Sequence, residues 1–367
     1  MKTTAISLLG AVLVCLGKVS AQESLPTQVE VCFVLDTTGS MTGLLEGAKL
    51  KIWTIANEIA RSAPTARVKF GLVAYRDHGD RYLTIAHNLT DDLDAIYAQL
   101  LAYRAEGGGD EPEAVNEALD IAVRRMPWSA DPFAARLVFL VGDAPPQFYW
   151  GAPHYRTVCA EAVRRGIIIN TIQCGTIAMT TPFWQEIAAL TGGQYAAIGM
   201  TGHGTIIVTP EDRQIIELSR ALNRTVIPYG EETARREVAA KQSVAARAPA
   251  TATVERAIFN ATTGKAVQGR GDLIAAVSDG SVKLDEVRKE QLPADLQKLS
   301  SNQLKTYVET QQKQREQLQT RIVDLSAKRS DNLAAKKESN PSASFDATVT
   351  KIVRSQLATK KTSETGK

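Results

Sequence analysis

From residue 29 to about 225, short apolar runs alternate with longer amphipathic ones. The runs at 29–35, 68–75, 82–87, 137–141, 167–172 and 194–198 are rich in β-branched residues and predict strands. The first, fourth and fifth are apolar almost throughout, as strands buried on both faces are. Between the runs, 43–60, 91–103, 113–125, 155–165, 182–190 and 211–222 carry helical spacing. Strands alternating with helices predict an α/β domain with a doubly wound, mostly parallel, six-stranded sheet flanked by helices. Only the 82–87 strand follows its predecessor by a short polar loop, which predicts an antiparallel edge hairpin.

After Tyr229 the pattern changes, and a mainly α-helical C-terminal region is expected. Residues 231–255, rich in Ala, Arg and Glu, read as a linker or loose helix, inside a small mixed region at 229–284. Residues 285–338 read as long helix. Leu304, Val308, Gln311, Arg315, Leu318, Ile322 and Leu325 step by four and three, a heptad seam with two polar members. Such a seam fits a helix folded back on a partner helix, or a coiled coil joining copies of the chain. The tail at 339–367, rich in Lys, Ser and Thr, reads as flexible.

Charge sharpens this division. Residues 22–230 carry 17 Lys and Arg against 23 Asp and Glu, a net of −6, whereas residues 231–367 carry 24 against 17, a net of +7. A chain with an acidic front half is no uniformly basic nucleic-acid binder, so no nucleic-acid partner is expected. The first 21 residues read as a signal peptide: Lys2, an apolar stretch from Ala5 to Leu16, and small residues at Val19-Ser20-Ala21. The apolar stretch is too short to span ~30 Å of hydrocarbon, and no other run approaches that length. The expected protein is exported, periplasmic or secreted, without a transmembrane segment. The remaining cysteines, Cys32, Cys159 and Cys174, are too few for a disulfide scaffold; Cys159 and Cys174 either pair or stay free.

Three loops carry the candidate chemistry. Asp36-Thr37-Thr38-Gly39-Ser40-Met41 follows the first strand, the stretch from Glu106 through Gly107-Gly108-Gly109-Asp110-Glu111-Pro112 to Glu113 opens the third helix, and Gly142-Asp143-Ala144-Pro145-Pro146 follows the fourth strand. In a parallel sheet the loops after strands emerge at the carboxyl edge, where open α/β folds bind ligands. Carboxylates and hydroxyls gathered there are hard oxygen donors, suited to Mg²⁺, Mn²⁺ or Ca²⁺ rather than zinc. The plainer alternative is that Asp36, Ser40, Asp110 and Glu113 only cap helices. A phosphate cradle at the glycines is opposed by Glu106, Asp110 and Glu111.

Asp36-x-Thr38-x-Ser40, together with the other two loops, resembles the metal-ion-dependent adhesion site of von Willebrand factor type A domains, a Rossmann-like fold. The resemblance covers roughly residues 28–225. It implies Asp36, Thr38 and Ser40 as first-loop ligands and Asp143 as the third-loop ligand. The second loop departs from the commonest pattern: Asp110 stands where a Thr is usual, and a further carboxylate there weakens the cation as an electrophile. The implied cofactor is a divalent cation, Mg²⁺ first, with Mn²⁺ and Ca²⁺ as alternatives. The implied partner is a protein offering an Asp or Glu to that cation.

Around this edge, Asp77 and Asp80 either support the ligands or shape the hairpin turn, and Phe148, Tyr149 and Trp150 are candidate partner contacts. No Gly-x-Ser-x-Gly or His-Glu-x-x-His set is present, so a binding module, not an enzyme, is the leading expectation. A metal-dependent hydrolase, with Asp77 as base, is one alternative. A scaffold whose basic helical half binds an acidic envelope surface is the other. The seam of the C-terminal helix adds homo-oligomerisation as an expectation.

Overall fold

The computed structural model describes residues 26–109, 112–199, 208–337 and 345–360. The signal-peptide stretch and Asp110 lie outside these residues, as does the rest of the tail.

Six strands form one sheet: β1 (Gln28–Asp36), β2 (Arg67–Tyr75), β3 (Thr84–Thr90), β4 (Ala135–Gly142), β5 (Ile167–Cys174) and β6 (Tyr195–Ile198). Their order is β3-β2-β1-β4-β5-β6, parallel throughout except for β3. All nine residues of β1 are buried, as expected for the central strand of a doubly wound sheet. The pleat sends Val29, Val31, Phe33 and Leu35 to one core and Cys32 and Val34 to the other. The edge strand starts at Thr84 rather than Tyr82, and Tyr82 instead turns its hydroxyl to Thr37 Oγ1 at 2.7 Å.

On the first face lie α1 (Thr42–Ser62) and α2 (Leu93–Ala102), the latter capped by Asp92, whose carboxylate accepts from Ala95 N at 3.0 Å. The second face takes α3 (Val115–Asp120), continued by a π-helical turn, then α4 (Tyr155–Arg164) and α5 (Thr180–Leu190), with Trp184 fully buried. Helix α6 (Pro210–Arg224) opens on a Thr209/Asp212 capping box. It leaves the sheet and joins a third core with later helices.

The C-terminal region differs from its reading as linker, long helix and loose tail. The stretch read as a linker or loose helix forms α7 (Glu232–Ala246) and the start of α8 (Ala250–Thr262), and α8 buries Ala252 and Phe259 against α1. Small alanines on that face let the backbones approach closely, so modest hydrophobicity suffices for burial. A short α9 (Leu273–Ser278) follows. Long helix begins only at α10 (Ser301–Lys337), where Ser300 N donates to Gln303 Oε1 at 2.9 Å in a cap pattern; residues 284–298 make three short 3₁₀ turns around Pro293. In the heptad seam, Leu304, Val308, Arg315 and Ile322 are buried against the chain's own α6, α8 and α9. Residues 345–360 of the tail are α11 (Phe345–Lys360), which lays Val349, Ile352, Val353 and Leu357 into the first core beside α1.

Buried polar pairs fasten these helices to the sheet domain. Arg256 of α8 grips Asp94 of α2 with two bonds of 2.6 and 2.8 Å. Asn170 of β5 and Gln356 of α11 exchange amide bonds of 3.0 and 2.7 Å. Arg315 binds Asp272 at 2.6 Å and the Thr225 carbonyl at 2.9 Å, which leaves the Asp272 carboxylate buried and occupied. Among the described residues no helix is long and apolar enough to cross a membrane. The described cysteines Cys32, Cys159 and Cys174 are buried and free.

Candidate metal centre

The sheet order reverses between β1 and β4, the two central strands, and this switch point is where an α/β sheet opens a crevice at its carboxyl edge. The register sets Leu35 beside Val141, so Asp36 and Asp143 leave neighbouring strands at that crevice. Asp36 is 1% exposed. Its Oδ1 accepts from Thr38 N at 2.8 Å and Thr38 Oγ1 at 2.6 Å, and Thr38 Oγ1 lies 3.2 Å from Ser40 Oγ. The alternating pattern in the sequence thus becomes a row of three oxygen groups. The other carboxylate oxygen, Asp36 Oδ2, is buried without a hydrogen-bond partner, and so is Asp143 Oδ1.

Gly142 makes this closeness feasible. A Cβ there would stand 3.0 Å from Asp36 Cβ and would collide with the Tyr75 hydroxyl. The second loop is tied in by its backbone: Gly39 N donates to Gly107 O at 3.1 Å, and Glu106 N to Thr37 O at 3.1 Å. Gly107 has φ of +81°, and a side chain on it would run into the Asp80 carboxylate. Asp80 in turn accepts from Gly108 N at 3.1 Å, so it holds the glycine loop. Asp77 accepts the Tyr149 hydroxyl with both oxygens at 2.7 Å and ties the β2–β3 loop to the loop after β4. These two residues shape loops; no bond joins either to Asp36, Thr38, Ser40 or Asp143 among the described residues.

Electrostatics mark the same point. Burial lifts the Asp36 carboxyl to about 7, against the lowering pull of the Thr38 bonds and with help from neighbouring Asp143. Burial also raises Asp143. Glu113, which the sequence offered only as a helix cap, rises to about 9 through burial and the nearby charges of Asp36, Asp77, Asp80 and Asp143. It does not cap α3, whose first turn shows no side-chain cap. Its signal in the sequence was merely its place at the end of an acidic loop. Such a concentration of unpaired carboxylate oxygens is costly unless a positive charge joins it. Among the described residues no three acidic, His or Cys side chains stand close enough to hold an ion by themselves. The donor set is mixed, two carboxylates and two hydroxyls, which suits a hard cation.

The aromatic run sits at the rim. Trp150 is fully exposed and Phe148 half exposed, its ring 5.1 Å from His154 and 6.0 Å from Phe183. Tyr149 is instead held by Asp77 and packs on the His78 ring at 3.7 Å, so its role is internal before it is external.

Residues 30–209 match the family model described as "von Willebrand factor A domain". The front domain is a von Willebrand factor A domain. Over 195 residues, 53% of this chain, it is 35% identical to von Willebrand factor A domain-containing protein 7 of Homo sapiens, and it is 34% identical over 115 residues to the Rattus norvegicus protein of that name. The human match takes in 20% of that protein's length. Among solved structures, the SpRpn10 VWA domain aligns over 50% of this chain and all of its own, at 13% identity and a TM-score of 0.36. Proximal thread matrix protein 1 of the mussel byssus, described with a zinc-occupied MIDAS motif, aligns over 47% of this chain and 42% of its own, at 16% identity and a TM-score of 0.35. In the A domain of the present chain, the loops after β1 and β4 bring Asp36, Thr38, Ser40 and Asp143 together at the switch point.

Proposed function

We propose that this A domain is a divalent-cation-dependent protein-binding module of an exported protein. The observation that carries the reading is the pair of buried, unpartnered oxygens, Asp36 Oδ2 and Asp143 Oδ1, beside the Thr38 and Ser40 hydroxyls. These four side chains would hold the cation, with Mg²⁺ expected and Mn²⁺ or Ca²⁺ as alternatives. When bound, the cation supplies an electrophilic position for a carboxylate from the partner. The chain's own residues do the rest. Thr38 orients Asp36 through two bonds, Gly142 keeps the floor open, and the exposed Phe148 and Trp150 offer apolar surface beside the carboxylate's entry. A hydrolytic reading needed Asp77 as a base, and Asp77 is engaged by Tyr149.

The test is calorimetric titration of the full chain with Mg²⁺, Mn²⁺ and Ca²⁺, beside Asp36→Ala and Asp143→Ala. Saturable binding lost in both variants, followed by chelator-sensitive capture of a partner, is the expected result. Absence of binding to all three cations would reduce the loops to helix caps and sink the proposal.

A further inference from the structure

The apolar cluster beside the start of α10 is incompletely closed. Among the described residues it joins six buried side chains to seven half-buried ones, whereas the second core joins twenty to five, so the cluster has an open side. The opening is a cavity of about 610 Å³, within the range of small-ligand sites. Leu284, Val287 and Leu296 of the 3₁₀ turns, with Leu299, form one wall, and Leu304 and Val308 of α10 form the other. The turns are anchored to residues 230–235: Gly230 N donates to Gln291 O at 3.0 Å, Arg288 Nη2 to Glu231 Oε1 at 3.1 Å, and Arg235 Nη1 to the Glu290 carbonyl. Among the described residues no hydrogen bond ties 284–298 to α10, so the wall is fixed from elsewhere and the gap stays open. Aliphatic walls around a space of this size lose their packing contacts unless something apolar fills it.

We propose that this cavity is a binding site for a single-chain amphiphile with a zwitterionic head, its hydrocarbon chain lying between the turns and α10. No aromatic ring lines the cavity, so its walls offer a flexible aliphatic chain contact along its length and give a flat ring nothing to stack on. The mouth reads the head. Lys289 and Lys305 stand there with Asp285 and Glu309, all four exposed and none paired with another among the described residues. Two ammonium and two carboxylate groups at one opening complement a head that carries both charges, such as phosphocholine. The site is separate from the cation reading: its lining begins at Val277, and no side chain of the sheet's carboxyl edge takes part.

The experiment is calorimetric titration of the full chain with decyl-, dodecyl- and tetradecylphosphocholine below their micelle concentrations, beside dodecanoate and dodecyl maltoside. Saturable binding of the phosphocholines is expected, tightening about four-fold for each added methylene that the cavity buries. Val287→Trp, which fills the cavity, should weaken dodecylphosphocholine about ten-fold or more while the melting temperature holds or rises. Leu296→Trp repeats that test should Val287→Trp fail to fold. Lys289→Glu combined with Lys305→Glu should weaken the phosphocholines roughly five-fold. Asp36→Ala and a chelator should leave the affinity unchanged, which keeps this site distinct from the cation site. Absence of saturable binding, or binding that survives both tryptophan variants, would overturn the site. Dodecanoate or dodecyl maltoside binding as tightly as dodecylphosphocholine would overturn the zwitterionic head.

Discussion

Asp36 and Asp94 are both buried carboxylates of the front domain, but their surroundings differ in kind. Asp94 gives one oxygen to Arg256 Nε and the other to Arg256 Nη2 and the backbone of Gln268, at 2.6, 2.8 and 2.9 Å. Asp36 gives one oxygen to Thr38 and leaves the other without a partner. The same contrast runs between whole regions. At the junction with the helical half and within that half, Asp94, Asp212, Asp272 and Glu255 all meet arginines, namely Arg256, Arg315 and Arg329. At the carboxyl edge of the sheet, Asp36, Asp143 and Glu113 each retain an unmatched oxygen. A buried carboxylate saturated from within the chain holds architecture; one left with an unmatched oxygen favours its protonated form and is open to a cation.

The largest expected break comes from separating the two regions. Ending the chain at Gly230 removes α8 and α11, which cover the first core beside α1. The exposed apolar face should leave the remainder aggregated or without a cooperative melting transition, and a soluble fragment with a sharp transition would show the regions to be independent. Next in size, Arg256→Met strips Asp94 of its partner and should destabilise the fold by about 3–5 kcal/mol in urea denaturation, as breaking buried pairs does. Asp36→Asn should do the reverse without cation, with stability equal to or above wild type, because an acid with an unmatched oxygen becomes neutral. It should also forfeit the stabilisation of about 2.7 kcal/mol that a ligand at a hundred times its Kd provides. Loss of cation-free stability comparable to that of Arg256→Met would erase the contrast between the two sites.

pH should resolve the regions too. Asp36 titrates near 7 and Glu113 near 9 in the folded chain, above the ordinary 3.8 and 4.5. Between those limits the folded state holds more protons than the unfolded state, so stability falls as pH rises. The cation-free protein should therefore gain on the order of 5 kcal/mol between pH 8 and pH 5. Asp36→Asn combined with Glu113→Gln should flatten that gain, and an unchanged slope in the double variant would place the titration elsewhere. The smallest stability effect belongs to Trp150→Ala, within about 0.5 kcal/mol for a fully exposed side chain. Its effect should appear only in partner capture; intact capture would leave the rim aromatics without a role.

Much of the fold was legible because its signals are local. Continuous apolar runs identified β1, β4 and β5, and the acidic and hydroxyl residues directly after β1 and β4 had to emerge at one edge once the sheet was parallel. Less legible were the helices built on small residues. The buried face of α8 sets Ala252, Ala257, Ala261, Val254, Ile258 and Phe259 beside the equally buried Glu255, Arg256 and Asn260, so hydrophobic density understated it. The α11 stripe, Val349, Ile352, Val353, Gln356 and Leu357, does follow helical spacing, but it is short and embedded in a lysine-rich tail. Heptad spacing in α10 was present, yet spacing cannot name the partner; here the seam meets the chain's own helices, and Arg315 is satisfied by Asp272.

The sequence by itself determined the strand and helix succession, the mixed oxygen donors of the first and third loops, and the change of character past Tyr229, because each depends on residue type and near-neighbour spacing. Only the tertiary structure decided that the rear half closes over the front domain, that Asp77 serves Tyr149, and that the Glu113 carboxyl caps no helix and lies instead near the Asp36 and Asp143 carboxyls. These outcomes depend on which distant groups satisfy one another when water is excluded. Hydrogen-bond saturation belongs to the folded whole and has no period along the chain.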